Sequence, residues 1–258
     1  MKLRWVLLNF GLKLFFILFY FGKWGKNDII YRIEKKAKFR LRVNTSDKLT
    51  VFEVWKSKEY IDSEFGIKKG DIVVDIGANI GAFSVYAAKK ASNGHVFAYE
   101  PDKENYSMVL KNKSLNNIDN LFLFNLAISA KKGTIDLCTS RLNKGAHSIY
   151  EADSKKKIKV ETITLKDILT ANKIKRVNYL KIDVGGTEYN ILLNTPPEVI
   201  KKVDKIVLEY PDFLNHTYSY LDLKKYLEDN GFRVKVCGNV ISRKIFETGM
   251  LKARRYAS

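Results

Sequence analysis

The chain has 258 residues, of which 46% are hydrophobic and 29% charged, proportions that suit one globular α/β domain with extensions and exclude a disordered chain. Its formal net charge of +18 favours contact with anionic partners, but charge alone does not distinguish phospholipids, nucleic acid and acidic glycans. The two cysteines, Cys138 and Cys237, lack the spacing of a zinc site or a disulfide framework, which fits a reducing, cytoplasmic compartment.

The N-terminal segment is strongly apolar. Residues 5–21 are almost all aliphatic or aromatic, interrupted by Asn9, Gly11 and Lys13. A lysine near the bilayer centre costs about 2.5 to 3.5 kcal/mol on insertion scales, so a helix lying in the membrane interface is favoured over a spanning one. We therefore predict that residues 1–26 form an amphipathic, membrane-associating helix. A helix buried by packing is the alternative.

The segment that follows is predicted to be a small β cap. Alternating residues predict short antiparallel strands at 39–43 and 49–52, joined by a turn at 44–48. The predicted division of the chain is a hydrophobic helix at 1–26, a β cap at 27–66, a main domain at 67–250 and a mobile basic tail at 251–258.

The main domain opens with the most informative stretch of the chain. A run of β-branched residues leads into Asp75, then Gly77 and Gly81 bracket a short turn, and an apolar-periodic segment follows at 82–88. This order predicts a strand, a glycine loop and a helix. Glycine lets the backbone approach a ligand closely, and the free N–H groups at the start of the helix point toward that ligand.

A second strand, at 96–99, ends in Glu100, whose carboxylate can accept hydrogen bonds from the hydroxyls of a ribose. The loop lacks the third glycine of a dinucleotide fingerprint, which leaves a nicotinamide-dependent oxidoreductase as a distant alternative. The acid Asp75 is a poor neighbour for pyrophosphate and a good one for the cationic groups of S-adenosylmethionine. We predict that this cofactor's amino acid half contacts Asp75 and the backbone of the loop, its ribose Glu100, and its adenine the region 125–127. The predicted cofactor-binding residues are Asp75, Gly77, Ala78, Asn79, Gly81, Glu100, Asn125 and Ala127.

The remaining pattern predicts a mostly parallel, seven-stranded sheet with helices on both faces, a Rossmann-like α/β fold. The predicted helices lie at 103–115, 165–171 and 218–230. The predicted strands lie at 121–126, 134–137, 158–162, 177–182, 205–208, 232–236 and 240–245, the last two forming a hairpin around Gly238-Asn239.

Polar residues follow several of these strands, at the edge where open α/β sheets bind ligands. They are Asp75, Glu100, Asn125, Asp183 and Glu209. Asp183 is the best candidate to remove a proton from an acceptor or to orient it, and Lys181 is predicted to point to the opposite face of the strand.

Three further residues are candidates for a part in catalysis. Glu188 is a supporting candidate, with a solvated carboxylate at a helix start as the alternative. His147 and His216, in predicted loops, are each either a general base or an ordinary loop residue. The sequence shows no metal cluster.

From about residue 42 to 210, the chain resembles the FkbM family of S-adenosylmethionine-dependent methyltransferases. The matching pieces are Asn44-Thr-Ser-Asp47, Glu59-Tyr60, Asp75-Ile-Gly-Ala-Asn-Ile-Gly81, Tyr99-Glu-Pro101, Asn125-Leu-Ala127, His147-Ser148, Leu180-Lys-Ile-Asp-Val184, Glu188 and Leu208-Glu209. The resemblance implies a class I methyltransferase fold and methyl transfer from S-adenosylmethionine. It also implies, as acceptor, a hydroxyl of a sugar, a lipid-linked glycan or another small metabolite.

The resemblance has one departure, because Gly185 stands where the family usually has a glutamate. This leaves a non-catalytic cofactor-binding protein as an alternative. The net charge of +18 leaves an RNA methyltransferase as another.

Overall fold

The computed structural model describes residues 28–43, 45–138, 157–211, 217–237 and 248–255. The strands in these ranges are β1 (Ile29–Ile33), β2 (Ala37–Leu41), β3 (Ile72–Ile76), β4 (His95–Tyr99), β5 (Leu121–Phe124), β6 (Ala127–Ile128), β7 (Gly133–Cys138), β8 (Lys157–Ile163), β9 (Tyr179–Ile182), β10 (Lys205–Pro211), β11 (Phe232–Cys237) and β12 (Thr248–Arg255). The helices are α1 (Asp47–Phe52), followed by a π-helical turn (Glu53–Ser57), α2 (Ala82–Lys90), α3 (Lys103–Leu115), α4 (Leu165–Ala171), α5 (Glu188–Leu193), α6 (Pro197–Ile200) and α7 (Tyr220–Asp229).

The central sheet has seven strands in the order β11-β12-β10-β9-β3-β4-β5. Neighbours from β10 to β5 run parallel, and β12 runs antiparallel to both β10 and β11. The predicted mostly parallel, seven-stranded sheet is therefore confirmed. A smaller sheet, β6-β8-β7, contains the strand pair predicted at 134–137 and 158–162.

Both faces of the central sheet are buried. Along β3, Val73 belongs to an apolar cluster that includes Phe83 of α2, whereas the next residue, Val74, belongs to a second cluster that includes Leu223 of α7. Because successive side chains of a strand point to opposite faces, this continuous apolar run is covered on both sides.

Three helices begin at side-chain caps. Asp102 accepts a hydrogen bond from the main chain of Asn105 at the start of α3, and α4 and α7 begin with capping boxes at Thr164 and Ser219. These caps explain why the predicted helices at 103–115 and 165–171 have the predicted bounds.

The predicted hairpin of the N-terminal region was wrong. The predicted strand at 39–43 overlaps β2, but the antiparallel partner of β2 is β1, and the predicted strand at 49–52 lies in helix α1. Val51, Val54 and Trp55 are buried, at the three- and four-residue spacing of one helix face. That spacing favoured a helix over a strand.

The region predicted as a separate β cap shares a hydrophobic core with the main sheet. Phe39, Trp55, Tyr60 and Phe65 lie in the same buried cluster as Phe83 of α2. This cluster spans the boundary predicted at residue 67.

The basic C-terminal segment is a strand rather than a mobile tail. β12 lies between β10 and β11, and its residues Leu251 and Ala253 are fully buried. The alternation of these apolar residues with Lys252 and Arg254 is typical of a strand and outweighs the basic composition. The strand predicted at 240–245 and its turn lie outside the described residues.

No helix in the described ranges is long and apolar enough to span a membrane. The helix predicted at 1–26 lies outside those ranges, so its association with a membrane stays a prediction.

Candidate active site

Residues 77–81, which we call the cofactor loop, connect β3 to α2 in a conformation that requires glycine at both ends. Gly77 has φ of +82°, and a Cβ built on it would lie 1.8 Å from the main-chain oxygen of Asp183. Gly81 has φ of +83°, and its Cβ would lie 2.9 Å from Cγ1 of Val109. The loop is thereby packed closely against the end of β9 on one side and α3 on the other.

The cofactor loop is tied to the end of β4. The main-chain N–H groups of Gly77 and Ala78 both donate to the oxygen of Tyr99, each at 3.0 Å. The N–H of Asn79, whose φ of +53° is left-handed, donates to Oε2 of Glu100 at 2.7 Å. The two predicted halves of the cofactor site, the loop and Glu100, therefore form one unit.

Glu100 is buried, and its second oxygen accepts a hydrogen bond from the main chain of Asp102 at 2.9 Å. Burial raises the pKa of Glu100 to about 8. Each carboxylate oxygen has a second lone pair, so both remain able to accept a ribose hydroxyl.

Asn125 and Ala127 stand beside this unit. The side-chain amide of Asn125 donates to the main-chain oxygens of Glu100 and Pro101, both at 2.8 Å. Ala127 is buried at the start of β6. Asn125 therefore fixes the turn after β4, and the predicted contact of Asn125 and Ala127 with adenine stays a prediction.

Asp75 lies fully buried behind the cofactor loop. Its Oδ2 accepts a hydrogen bond from Oγ of Ser84 at 2.5 Å, and its Oδ1 lies 3.2 Å from Nζ of Lys181. That Oδ1 accepts no directed hydrogen bond from a described residue. Asp75 is thus the counter-charge of Lys181, and a direct contact with a cofactor stays a prediction.

Lys181 is buried among oxygen atoms at the centre of the site. Its Nζ donates to the main-chain oxygen of Gly77 at 2.7 Å and lies 3.5 Å from Oδ2 of Asp183. Burial alone would lower the pKa of Lys181, but the carboxylates of Asp75 and Asp183 outweigh it and raise this pKa. The prediction that Lys181 points away from Asp183 was wrong, because side chains two residues apart on a strand share a face.

Asp183 follows β9 and is the accessible acid of the site. Its side chain is 34% exposed, and its Oδ2 accepts a hydrogen bond from the hydroxyl of Tyr60 at 2.9 Å. Burial, with the charge of Asp183, raises the pKa of Tyr60 well above its ordinary value, so the hydroxyl stays a donor. The main-chain oxygen of Tyr60 in turn accepts from the hydroxyl of Tyr179. The sequence had suggested no site role for Tyr60.

Glu188 braces the loop after β9. It is buried, and its two oxygens accept hydrogen bonds from the main-chain N–H groups of Val184 and Gly186, both at 2.8 Å. Burial raises the pKa of Glu188 to about 7. It is therefore not the solvated carboxylate that was considered as an alternative.

The comparisons with known proteins bear on this geometry. A family model described as the methyltransferase FkbM domain matches residues 75–234, more than half of the chain. The chain belongs to the FkbM methyltransferase family. The predicted family, fold class and cofactor, S-adenosylmethionine, are confirmed.

Relatives of this FkbM methyltransferase bear the name methyltransferase. Methyltransferase 1 of Beauveria bassiana is 25% identical over 231 residues, covering 81% of this chain and 91% of the relative. Methyltransferase sdnD of Sordaria araneosa is 25% identical over 195 residues, covering 63% of this chain and 73% of the relative. The hexuronic acid methyltransferase AglP of Haloferax volcanii is 20% identical over 167 residues, covering 62% and 67%.

The site of this FkbM methyltransferase fits its cofactor. Oδ1 of Asn79, an acceptor, is buried without a hydrogen-bond partner among the described residues. Carboxylate and amide oxygens suit a cationic sulfonium or ammonium group better than a pyrophosphate.

Glu209 also lies at the edge of the sheet where the parallel strands end. Leu208 of β10 pairs with Ile182 of β9, which places Glu209 beside Asp183. Burial, followed by the charge of Asp183, raises the pKa of Glu209 well above its ordinary value.

His147 and His216 lie outside the described residues, so their predicted roles stay predictions. Within the described residues, no group of three or more His, Cys, Asp or Glu side chains is placed to hold a metal ion.

Proposed function

We propose that this FkbM methyltransferase transfers the methyl group of S-adenosylmethionine to a hydroxyl of a sugar, a glycan or another small metabolite, with Asp183 accepting the hydroxyl proton. The observation that carries the proposal is the position of Asp183, a partly exposed carboxylate at the border of the cofactor loop.

Methyl transfer is an in-line displacement at a carbon that the sulfonium already activates. The protein therefore has to align the acceptor and take up its proton. The main chain of Asp183 packs against Gly77 so closely that a Cβ there would meet it at 1.8 Å. An acceptor that contacts the exposed carboxylate of Asp183 is thus beside the cofactor loop.

The surroundings of Asp183 leave part of its carboxylate for an acceptor. The contacts from Tyr60 and Lys181 both reach Oδ2. Oδ1 is then the oxygen that would accept the acceptor's proton. Tyr60 and Lys181 hold the side chain so that this oxygen has a fixed direction.

The remaining predicted residues take supporting parts in the proposal. The cofactor loop, with Gly77, Ala78, Asn79 and Gly81, borders the methionine half of the cofactor, and Asp75 lies behind the loop. Glu100 binds the ribose, Asn125 and Ala127 border the adenine, Glu188 shapes the loop after Asp183, and His147 is a further candidate base.

A sugar acceptor has support from one relative, which is named a hexuronic acid methyltransferase. Hydroxyl groups of sugars are neutral, so such an acceptor brings no charge that the site must balance. Methylation of a hydroxyl group requires a general base, and the carboxylate of Asp183 beside the cofactor loop meets that requirement.

The test is a turnover assay of the full chain with S-adenosylmethionine and a panel of neutral sugars, uronic acids, polyols and RNA. Release of S-adenosylhomocysteine and the mass of the product identify the acceptor and the methylated atom. We expect turnover on a hydroxyl acceptor. Asp183→Asn should lower kcat by about 100-fold or more, the usual contribution of a general base, with cofactor affinity unchanged.

Asp136→Asn is the matched control, since Asp136 is an exposed acid on β7 that pairs only loosely with Lys159, at 3.7 Å. This variant should methylate the acceptor with the same kcat as the unchanged chain. Full turnover by Asp183→Asn would remove Asp183 as the base, and methylation of RNA alone would replace the proposed acceptor class.

A further inference from the structure

We infer that Lys181 is a positioning residue that sets the cofactor loop and Asp183 relative to each other through a single buried ammonium group. The inference rests on the proposed function for the parts assigned to Asp183 and to the cofactor loop. Its effect on the cofactor loop can be measured by cofactor binding alone.

The strand register brings Lys181 to the loop. β9 runs parallel to β3, and Lys181 pairs with Asp75. An ammonium group has three N–H donors, and three oxygens from different parts of the site surround this one. They are the main-chain oxygen of Gly77 at 2.7 Å, Oδ1 of Asp75 at 3.2 Å and Oδ2 of Asp183 at 3.5 Å.

Aromatic rings restrict where the ammonium can go. Nζ of Lys181 lies 5.4 Å from the centre of the Tyr60 ring and 5.9 Å from that of Phe83. The residue is only 3% exposed. A desolvated cation beside aromatic faces is held more strongly than one in water, so the side chain has one favoured position.

The contact with Gly77 gives Lys181 a direct effect on the cofactor loop. The carbonyl of Gly77 belongs to the peptide that joins Gly77 to Ala78, and the N–H of Ala78 donates to Tyr99 on the other side. Lys181 therefore fixes the plane of a peptide that lines the cofactor site. Losing the ammonium leaves that carbonyl without its charged donor and frees the peptide to turn.

Lys252 on β12 offers a matched comparison. It is 5% exposed, its Nζ lies 2.9 Å from Oδ2 of Asp62, and it lies 5.8 Å from the centre of the Phe65 ring. It is thus another buried ammonium with a carboxylate and an aromatic neighbour. Asp62 and Phe65 both lie outside the cofactor loop.

The experiment compares Lys181→Met with Lys252→Met in the full chain, by calorimetric titration with S-adenosylmethionine and by thermal unfolding. We expect both variants to unfold at lower temperature than the unchanged chain. Only Lys181→Met should weaken cofactor binding, by about tenfold or more, the loss that follows from one charge-assisted hydrogen bond. Unchanged cofactor affinity in Lys181→Met, or an equal loss in both variants, would overturn the inference.

Lys181→Met leaves the charge of Asp75 buried without its partner, which can prevent folding. The double variant Asp75→Asn/Lys181→Met removes both charges. In it, the main-chain carbonyl of Gly77 still lacks the ammonium group as its donor. We expect it to bind the cofactor about tenfold or more weakly than Asp75→Asn alone, and an affinity equal to that of Asp75→Asn would contradict the inference. Asp183→Asn separates the two proposals: if it keeps full turnover while the lysine variants lose cofactor affinity, the base assignment fails and the role of Lys181 stands.

Discussion

At the scale of single residues, Glu100 links cofactor binding to pH. Its pKa is raised to about 8 because the carboxylate is buried. A ribose hydroxyl donates more strongly to the ionised carboxylate than to the neutral acid. Ionisation occurs as pH rises through about 8, so cofactor binding should strengthen over that range and release a proton.

The prediction is a fall in the calorimetric Kd for S-adenosylmethionine of about tenfold between roughly pH 6 and pH 9, with a heat that depends on the ionisation enthalpy of the buffer. Glu100→Gln should remove the pH dependence. Glu161→Gln, which changes an exposed residue of β8, should retain it. A Kd that is flat with pH in the unchanged chain would show that the carboxylate does not bind the ribose.

The residues of the site could be predicted from sequence only in part. Asp75, Glu100 and Asp183 follow strands whose parallel arrangement brings their ends to one edge, which a sequence pattern can indicate. Tyr60 reaches Asp183 across a separation of 123 residues. Such a contact depends on tertiary packing rather than on any local pattern, so the sequence did not predict it.

At the scale of elements, the loop after β9 explains the glycine that departs from the family pattern. Gly185 has φ of +69° and Gly186 has φ of +120°, both in the region that favours glycine. The N–H groups of Val184 and Gly186 are held by Glu188. In this chain the loop has a conformation in which a glutamate at 185 is strained.

We predict that Gly185→Glu lowers the free energy of unfolding by about 1 to 2 kcal/mol, the cost of a left-handed L residue, and does not raise methyl transfer. Chemical denaturation and the turnover assay measure the two effects. Gly70→Glu is the matched control, since Gly70 has φ of +85° with nothing within 4 Å of an added Cβ. A gain of turnover in Gly185→Glu alone would instead support the non-catalytic alternative for the natural chain.

The elements themselves were predicted where local signals were strong. α3 begins at an Asp cap and has the predicted bounds. α1 was mistaken for a strand because its six residues are too few for the 3.6-residue period to stand out. β12 was mistaken for a tail because four of its eight residues are lysine, arginine or glycine, and only its place between two strands makes it a buried element.

At the scale of the whole molecule, the FkbM match begins at residue 75, but the folded unit begins well before it. Phe39, Trp55 and Phe65 are buried in the cluster that includes Phe83. Asp62 pairs with Lys252 at 2.9 Å, which joins this region to β12. The region upstream of the match therefore belongs to the same cooperative structure.

We predict that a chain beginning at residue 67 does not fold. Burying one large apolar side chain contributes about 1.5 to 3 kcal/mol, so losing several approaches the roughly 5 to 15 kcal/mol that stabilises a typical domain. Circular dichroism and thermal unfolding measure the effect, with a chain beginning at residue 28 as the control that keeps this core. A chain from residue 67 that unfolds cooperatively near the temperature of the control would show that residues 28–66 are a dispensable cap. A folded chain from residue 67 would lack Tyr60, so it should bind S-adenosylmethionine but transfer methyl groups more slowly than the control. That result would separate the effect of losing Tyr60 from the effect of losing the fold.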